Sequence, residues 1–205
     1  MELDFGNKEI VPKQKDWTGN RRTTFATLGA SSHADHKREA NDYYATEPAA
    51  LEKAPFLHLL NNVWEPACGE GHLSKVLVEK GIHGKSSDLI ARGYGEVQNF
   101  LTTKEPWNGS IVTNPPFKYA AQFVVKALSL VPDGEYVCMF LRIQFLESAE
   151  RKSLFETMPP KYVYVASKRL QCGINGKFGG SSAACYAWFV WQKGYQGDIV
   201  LRLFN

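Results

Sequence analysis

The chain lacks any apolar run approaching the roughly 20 residues that a membrane-spanning helix needs, so no membrane role is expected of its 205 residues. Cysteine is scarce: Cys68, Cys138, Cys172 and Cys185 form no Cys-x-x-Cys pair and no zinc spacing. That excludes a disulfide scaffold or zinc finger, leaves no metal expected, and points to a reduced, cytosolic protein. Cys138 and Cys185 stand in apolar runs and are expected to be buried small hydrophobes. Charge excess is also missing, since a net +3 permits a polyanionic partner without demanding one. There is no internal repeat, and the acidic opening Met1-Glu2-Leu3-Asp4 does not read as a secretory signal.

What is present is enough apolar material for one ordinary domain, 44% hydrophobic and 13% aromatic. Residues 1–40 have no periodicity, and between Lys8 and Arg38 seven Lys/Arg stand against three acidic residues. They are expected to form a mildly basic, flexible arm, either a solvated terminus or a grip on nucleic acid. Residues 41–205 are expected to form the domain.

Within that domain Ser110-Ile111-Val112 reads as a buried strand, Thr113-Asn114-Pro115-Pro116-Phe117 as a tight polar turn, and Lys118 to Leu128 as a helix. This puts Asn114 and Phe117 at the carboxyl end of a strand, where open α/β sheets bind ligands. Pro115 and Pro116 fix φ and donate no N–H, so the carbonyls beside them are rigid acceptors. A carboxamide, a fixed carbonyl and an aromatic face together suit a flat group carrying an NH2. A Pro-Pro pair also serves as a plain rigid turn.

Upstream, Asn62-Val63-Trp64-Glu65-Pro66-Ala67 ends a strand, and Cys68-Gly69-Glu70-Gly71-His72 turns into a helix reaching about Lys80. Gly69 and Gly71 let backbone approach a ligand. Glu65 and Glu70 make the turn acidic, which disfavours a pyrophosphate and suits an amino cation or ribose hydroxyls. Asp88, about twenty residues on, falls where a doubly wound sheet holds a ribose diol. Earlier still, Thr46 is placed to cap a helix beginning near Pro48. After the central turn come a strand over 135–141, a helix over about 147–157, a strand over 161–166, a long loop over 168–180, and strands over 183–192 and 199–204. The strands on either side of that loop have no helix between them and are expected to be antiparallel neighbours. Arg142, ending the strand over 135–141, is placed either to reach the site or as a surface arginine.

Taken together, Glu65-Pro66-Ala67-Cys68-Gly69-Glu70-Gly71, Asn114-Pro115-Pro116-Phe117 and Tyr44-Ala45-Thr46-Glu47-Pro48 resemble the cofactor, catalytic and methionine-end motifs of class I S-adenosylmethionine-dependent methyltransferases of the N6-adenine type. More narrowly, the chain is similar to small phage and prophage DNA adenine methyltransferase-like proteins. The resemblance covers about residues 41–195. It implies an α/β, Rossmann-like fold with a mostly parallel seven-stranded sheet and an antiparallel C-terminal hairpin. It also implies S-adenosyl-L-methionine as cofactor, held by Tyr44, Thr46, Glu65, Pro66, Cys68, Gly69, Gly71, Asp88, Asn99 and Phe100. Asn99 replaces the family's usual Asp beside the cofactor adenine. Asn114 and the Pro115 carbonyl would accept hydrogen bonds from the target NH2, with Phe117 stacking on the base.

The implied activity is methylation of the adenine N6 amine, in DNA by preference, in a bacterial or phage-infected cytoplasm. An RNA amino or protein glutamine methyltransferase, or a catalytically silent subunit, are the alternatives. Six Lys/Arg against one acid from Arg151 to Lys177 suit a phosphate track. Lys118, Lys168, Arg169 and Lys177 are its candidate contacts. No segment is long enough for a full target-recognition region, which leaves room for a second subunit supplying it.

Overall fold

The computed structural model describes residues 44–168, 170, 172–174 and 184–204. The expected arm, and Arg169 and Lys177, lie outside them.

The strands are β1 (Tyr44–Thr46), β2 (Val63–Glu65), β3 (His83–Asp88), β4 (Glu96–Val97), β5 (Ile111–Thr113), β6 (Tyr136–Arg142), β7 (Tyr162–Ala166), β8 (Cys172–Ile174), β9 (Tyr186–Gln192) and β10 (Val200–Phe204). The α-helices are α1 (Ala49–Glu52), α2 (His72–Glu79), α3 (Ala120–Leu130) and α4 (Lys152–Thr157). Eight strands make one sheet in the order β10-β7-β9-β6-β5-β2-β3-β4, and β1 pairs with β8 in a separate antiparallel ribbon.

From β2 the chain builds outward through β3 and β4, then returns to lay β5 and β6 on the other side of β2, all parallel. The reversal opens a crevice at the carboxyl ends of β2 and β5. β9 alone runs against its neighbours, wedged antiparallel between β6 and β7. The antiparallel C-terminal pair expected from the sequence is therefore β7 and β9. The sheet has eight strands rather than seven, because the two-residue β4 and the edge strand β10 both pair.

Both faces of the sheet are covered, and the side-chain alternation shows it. In β6, Val137, Met139 and Leu141 join one core cluster with Ile111, Val124, Phe189 and Trp191. Cys138 and Phe140 join the other, with Leu51, Phe56, Leu73, Leu77 and Trp188. Strands buried on both faces read as continuous apolar runs, which is why Ile111-Val112 and Val137 to Leu141 were legible as strands. Buried indoles are satisfied: Trp188 Nε1 donates to the Ala50 carbonyl at 2.8 Å and Trp191 Nε1 to that of Met158 at 2.9 Å.

Three local expectations are corrected. The stretch over 168–180 is not all loop, since Cys172–Ile174 pairs with Tyr44–Thr46; an isolated three-residue strand has no period to read. Thr46 caps no helix: Pro48 holds the N-cap position of α1 without a side-chain hydrogen bond. Cys138 is buried but Cys185 is exposed, because it precedes β9 rather than lying in it. Among the described residues no helix is long and apolar enough to cross a membrane.

Candidate active site

The carboxyl ends of β2, β3 and β5 open into one cavity of about 570 Å³. Its lining brings together Thr46, Glu65, Pro66, Cys68, Asp88, Asn99, Phe100, Asn114, Pro115, Pro116, Phe117 and Lys118. Gly69 and Gly71 are not among the lining residues, the Tyr44 side chain is outside the described set, and Lys168 is exposed away from the lining.

On the β5 wall, the two prolines carry the chain from the strand into a single 3-10 turn, Phe117–Tyr119, that leads into α3. Asn114 is oriented from a distant element. Its Nδ2 donates to Thr46 Oγ1 at 2.9 Å, so β1 fixes which way the carboxamide points. Phe117 is half-buried, 6.2 Å from the Tyr186 ring, and Tyr186 stacks on Phe140 at 5.2 Å and 11°. The Arg142 guanidinium lies over the Phe117 ring at 4.6 Å.

The β2 and β3 wall is built from buried polar groups. Glu65 is only 2% exposed, and burial pushes its carboxyl up to about 8, with hydrogen bonds from Ser74 opposing the rise and Asp88 adding to it. Ser74 Oγ donates to Glu65 Oε2. The chain of contacts continues from Ser74 Oγ to Ser86 Oγ at 2.5 Å and from Ser86 Oγ to His83 Nε2 at 2.7 Å. Ser74 and Ser86 are buried and His83 is half-buried. A buried acid is thus connected by hydroxyls to an imidazole near the surface.

Asp88 is held by two backbone donors: Gly69 N–H to Oδ2 and Ile90 N–H to Oδ1, each at 2.9 Å. Each carboxylate oxygen keeps a further lone pair for a ligand. Cys68 is 4% exposed; burial, with Glu65 and Asp88 nearby, pushes its thiol up to about 12 and makes it packing rather than a nucleophile. His72 opens α2 on the cavity wall, and burial lowers its pKa.

Two of the expected residues also make contacts within the protein. Asn99 Oδ1 accepts from the Leu101 N–H at 3.1 Å and so caps the short turn over Phe100–Thr102. Gly71, at φ +79°, faces protein rather than ligand: a Cβ there would meet the Tyr94 ring at 2.5 Å. Gln98, outside every motif of the sequence, lines the cavity, donates from Nε2 to Thr103 Oγ1 at 3.2 Å and has a buried Oε1 without a partner among the described residues. Ser74, Ser86 and His83 join the Glu65 wall although their separation along the chain carries no signal.

No protein-family model matches the chain, and no curated protein is significantly similar to it. Solved structures do match. A methyltransferase subunit of a type I restriction-modification system from Streptococcus thermophilus superimposes with a TM-score of 0.55 at 15% identity, over 82% of this chain and 48% of that one. A predicted O-methyltransferase from Agrobacterium tumefaciens gives 0.53 at 11% identity, over 77% and 85%. A chain from Listeria monocytogenes named as a candidate class I S-adenosylmethionine-dependent methyltransferase gives 0.51 at 12% identity, over 69% and 57%. The chain thus spans about half of the restriction-modification subunit and 57% of the Listeria protein. Its fold is the Rossmann-like α/β fold of class I methyltransferases.

Proposed function

We propose that the chain transfers a methyl group from S-adenosyl-L-methionine to the exocyclic N6 amine of adenine, in DNA by preference. The observation that carries this reading is the convergence of Glu65, Asp88 and the whole Asn114–Phe117 turn on one cavity.

The donor set fits the cofactor. About 570 Å³ lies within the range of about 300–1,000 Å³ usual for small-molecule sites. The Glu65 carboxyl, costly to ionise alone, would take a cationic amino acid end, and Asp88 would take ribose hydroxyls. Beside Asn99, Gln98 Oε1, buried without a partner among the described residues, is a further acceptor available to an adenine amino group. Bound there, the cofactor supplies an electrophilic methyl group.

The residues of this chain would then act on the target amine. Asn114 and the Pro115 carbonyl accept its two N–H groups, which draws the nitrogen lone pair out of conjugation with the ring. Phe117 offers the stacking face. None of these groups has to take a proton, because the amine N–H becomes acidic as the nitrogen is alkylated and water can receive it. Most of the rate then comes from positioning, and the base must leave its stack first.

The fold and the restriction-modification neighbour support a nucleic-acid substrate. The 48% coverage of that neighbour favours a second reading of the assembly, in which another chain supplies target recognition. Incubating the full chain with labelled S-adenosylmethionine and separate DNA, RNA and protein pools tests the proposal. Label recovered from DNA as N6-methyladenine, and lost in Asn114→Ala, is the expected result. Label in RNA or in glutamine of protein overturns the substrate, and no transfer from a chain that still binds cofactor overturns the activity.

A further inference from the structure

Arg142 ends β6 beside the cavity without lining it. It is exposed, and its guanidinium carbon sits 4.6 Å from the centre of the Phe117 ring, which does line the cavity. Its backbone is fixed by pairing with Tyr186 across β6 and β9, and Tyr186 packs near Phe117 in turn. Among the described residues no carboxylate pairs with Arg142. The same holds for Lys118, next to Phe117 on the cavity rim. A cation is therefore held in water, on a rigid strand end, against an aromatic ring of the cavity wall.

A planar guanidinium resting on an aromatic face gains only about 0.5–1 kcal/mol at an exposed site, and its charge, solvated and without a carboxylate partner among the described residues, stays available to an anionic ligand. Five N–H donors in a fixed fork match a phosphate, and the contact with Phe117 orders the fork before any ligand arrives. A base entering the cavity to stack on Phe117 leaves its sugar and flanking phosphates outside, at the rim. We propose that Arg142, assisted by Lys118, contacts a phosphodiester flanking the target nucleotide and selects a polynucleotide over a peptide or a free nucleoside. This rests on the nucleic-acid reading above and assigns it a specificity-determining residue; Arg142 acts on the polymer, not on the reacting nitrogen.

The test measures binding of a fluorescent single-stranded DNA oligonucleotide, its RNA counterpart and a glutamine-containing peptide to the full chain and to Arg142→Ala and Arg142→Lys, over a salt series. S-adenosylmethionine affinity and thermal melting are followed in parallel. Losing one phosphate contact is expected to weaken oligonucleotide binding about tenfold and to lower the salt slope by about one. Arg142→Lys should keep the slope and lose part of the affinity, and cofactor binding should stay at the parent level in both. Should RNA bind more tightly than DNA with the same Arg142 dependence, the phosphate contact stands and the source of the phosphate is RNA. If Arg142→Ala melts early, the oligonucleotide affinity of Arg142→Lys decides: a partial loss supports the contact and parent-level affinity overturns it. Unchanged affinity and slope in both variants overturns the proposal and leaves Arg142 as packing on Phe117. A parent chain that retains neither oligonucleotide but methylates the peptide sinks the nucleic-acid reading itself, an outcome visible without any variant.

Discussion

The two walls of the cavity are made in opposite ways. The β2 and β3 wall is buried, hydrogen-bonded and protonatable: Glu65 at 2% exposure, tied through Ser74 and Ser86 to His83, with Asp88 pinned by two N–H groups. The β5 wall is rigid and aromatic, with two prolines, a half-buried Phe117 and one amide oriented by Thr46. One wall keeps a protonatable acid out of water; the other fixes shape next to water. The first suits a ligand of constant identity, which can supply a missing cation each time. The second suits a flat group that arrives attached to something large.

The difference can be broken from either side. Asn114→Ala acts on the shape wall and should cost methyl transfer about 100-fold or more, as loss of a positioned polar group in a reacting centre does. Equilibrium dialysis with S-adenosylmethionine should show affinity within a few-fold of the parent; a parallel loss would mean that the walls are not separable.

Glu65→Gln acts on the charge wall, and its sign depends on pH. In the folded chain the carboxyl keeps its proton up to about 8, whereas an unfolded glutamate gives it up near 4.3. The folded state therefore binds the extra proton between those values, and wild-type stability drains away as pH rises through that window. Denaturant melts should show Glu65→Gln gaining roughly 3–4 kcal/mol near pH 7 and little at pH 4. For S-adenosylmethionine the sign reverses. A cation favours ionised Glu65, so wild-type affinity should climb with pH up to about 8 and flatten there, while that of Glu65→Gln stays level. A wild-type affinity independent of pH would remove Glu65 from the cation's surroundings.

Gly71→Ala puts a Cβ against the Tyr94 ring at a φ that disfavours side chains, a strain of about 1–2 kcal/mol. Melting should drop accordingly with the cavity's shape wall intact, read out as turnover at saturating cofactor. Smallest of the four, Thr46→Val removes the hydroxyl that accepts from Asn114 Nδ2 and should lower turnover by about tenfold at most, through the loss of about 1 kcal/mol of hydrogen bond. No change would show that β1 does not orient Asn114.

Legibility divided along physical lines. The strands were readable where burial on both faces makes an unbroken apolar run, as in Val137 to Leu141, and the turns where Gly or Pro punctuates. Pro115 and Pro116 announced the rigid wall in the sequence, and Asp88 fell at a readable distance from the glycine turn. Contacts between distant residues were not readable. Thr46 looked like a helix cap because its neighbours suit one, yet its hydroxyl serves Asn114, 68 positions away. Ser74 and Ser86 looked like ordinary polar residues, and only the folded chain turns them into the link between Glu65 and His83. Asn99 and Gln98 are adjacent amides of equal promise in one dimension; only the folded chain shows that the first caps the turn over Phe100–Thr102 while Oε1 of the second is left without a partner among the described residues.

The reversed strand β9 has a consequence for how the chain can be cut and how it folds. Residues that come near the end of the sequence occupy the middle of the sheet, where β9 pairs with β6 from Tyr186 to Gln192 and with β7 from Ala187 to Val190, and Trp188 reaches back to Ala50. A product stopped after Ala166 would hold all the cavity-lining residues found among the described ones and yet leave β6 and β7 facing each other, parallel, across an empty lane. Such a fragment should not form the site, and assembly of the whole should wait on contacts far apart in sequence, which slows folding. For this protein the last strands are a keystone rather than a tail.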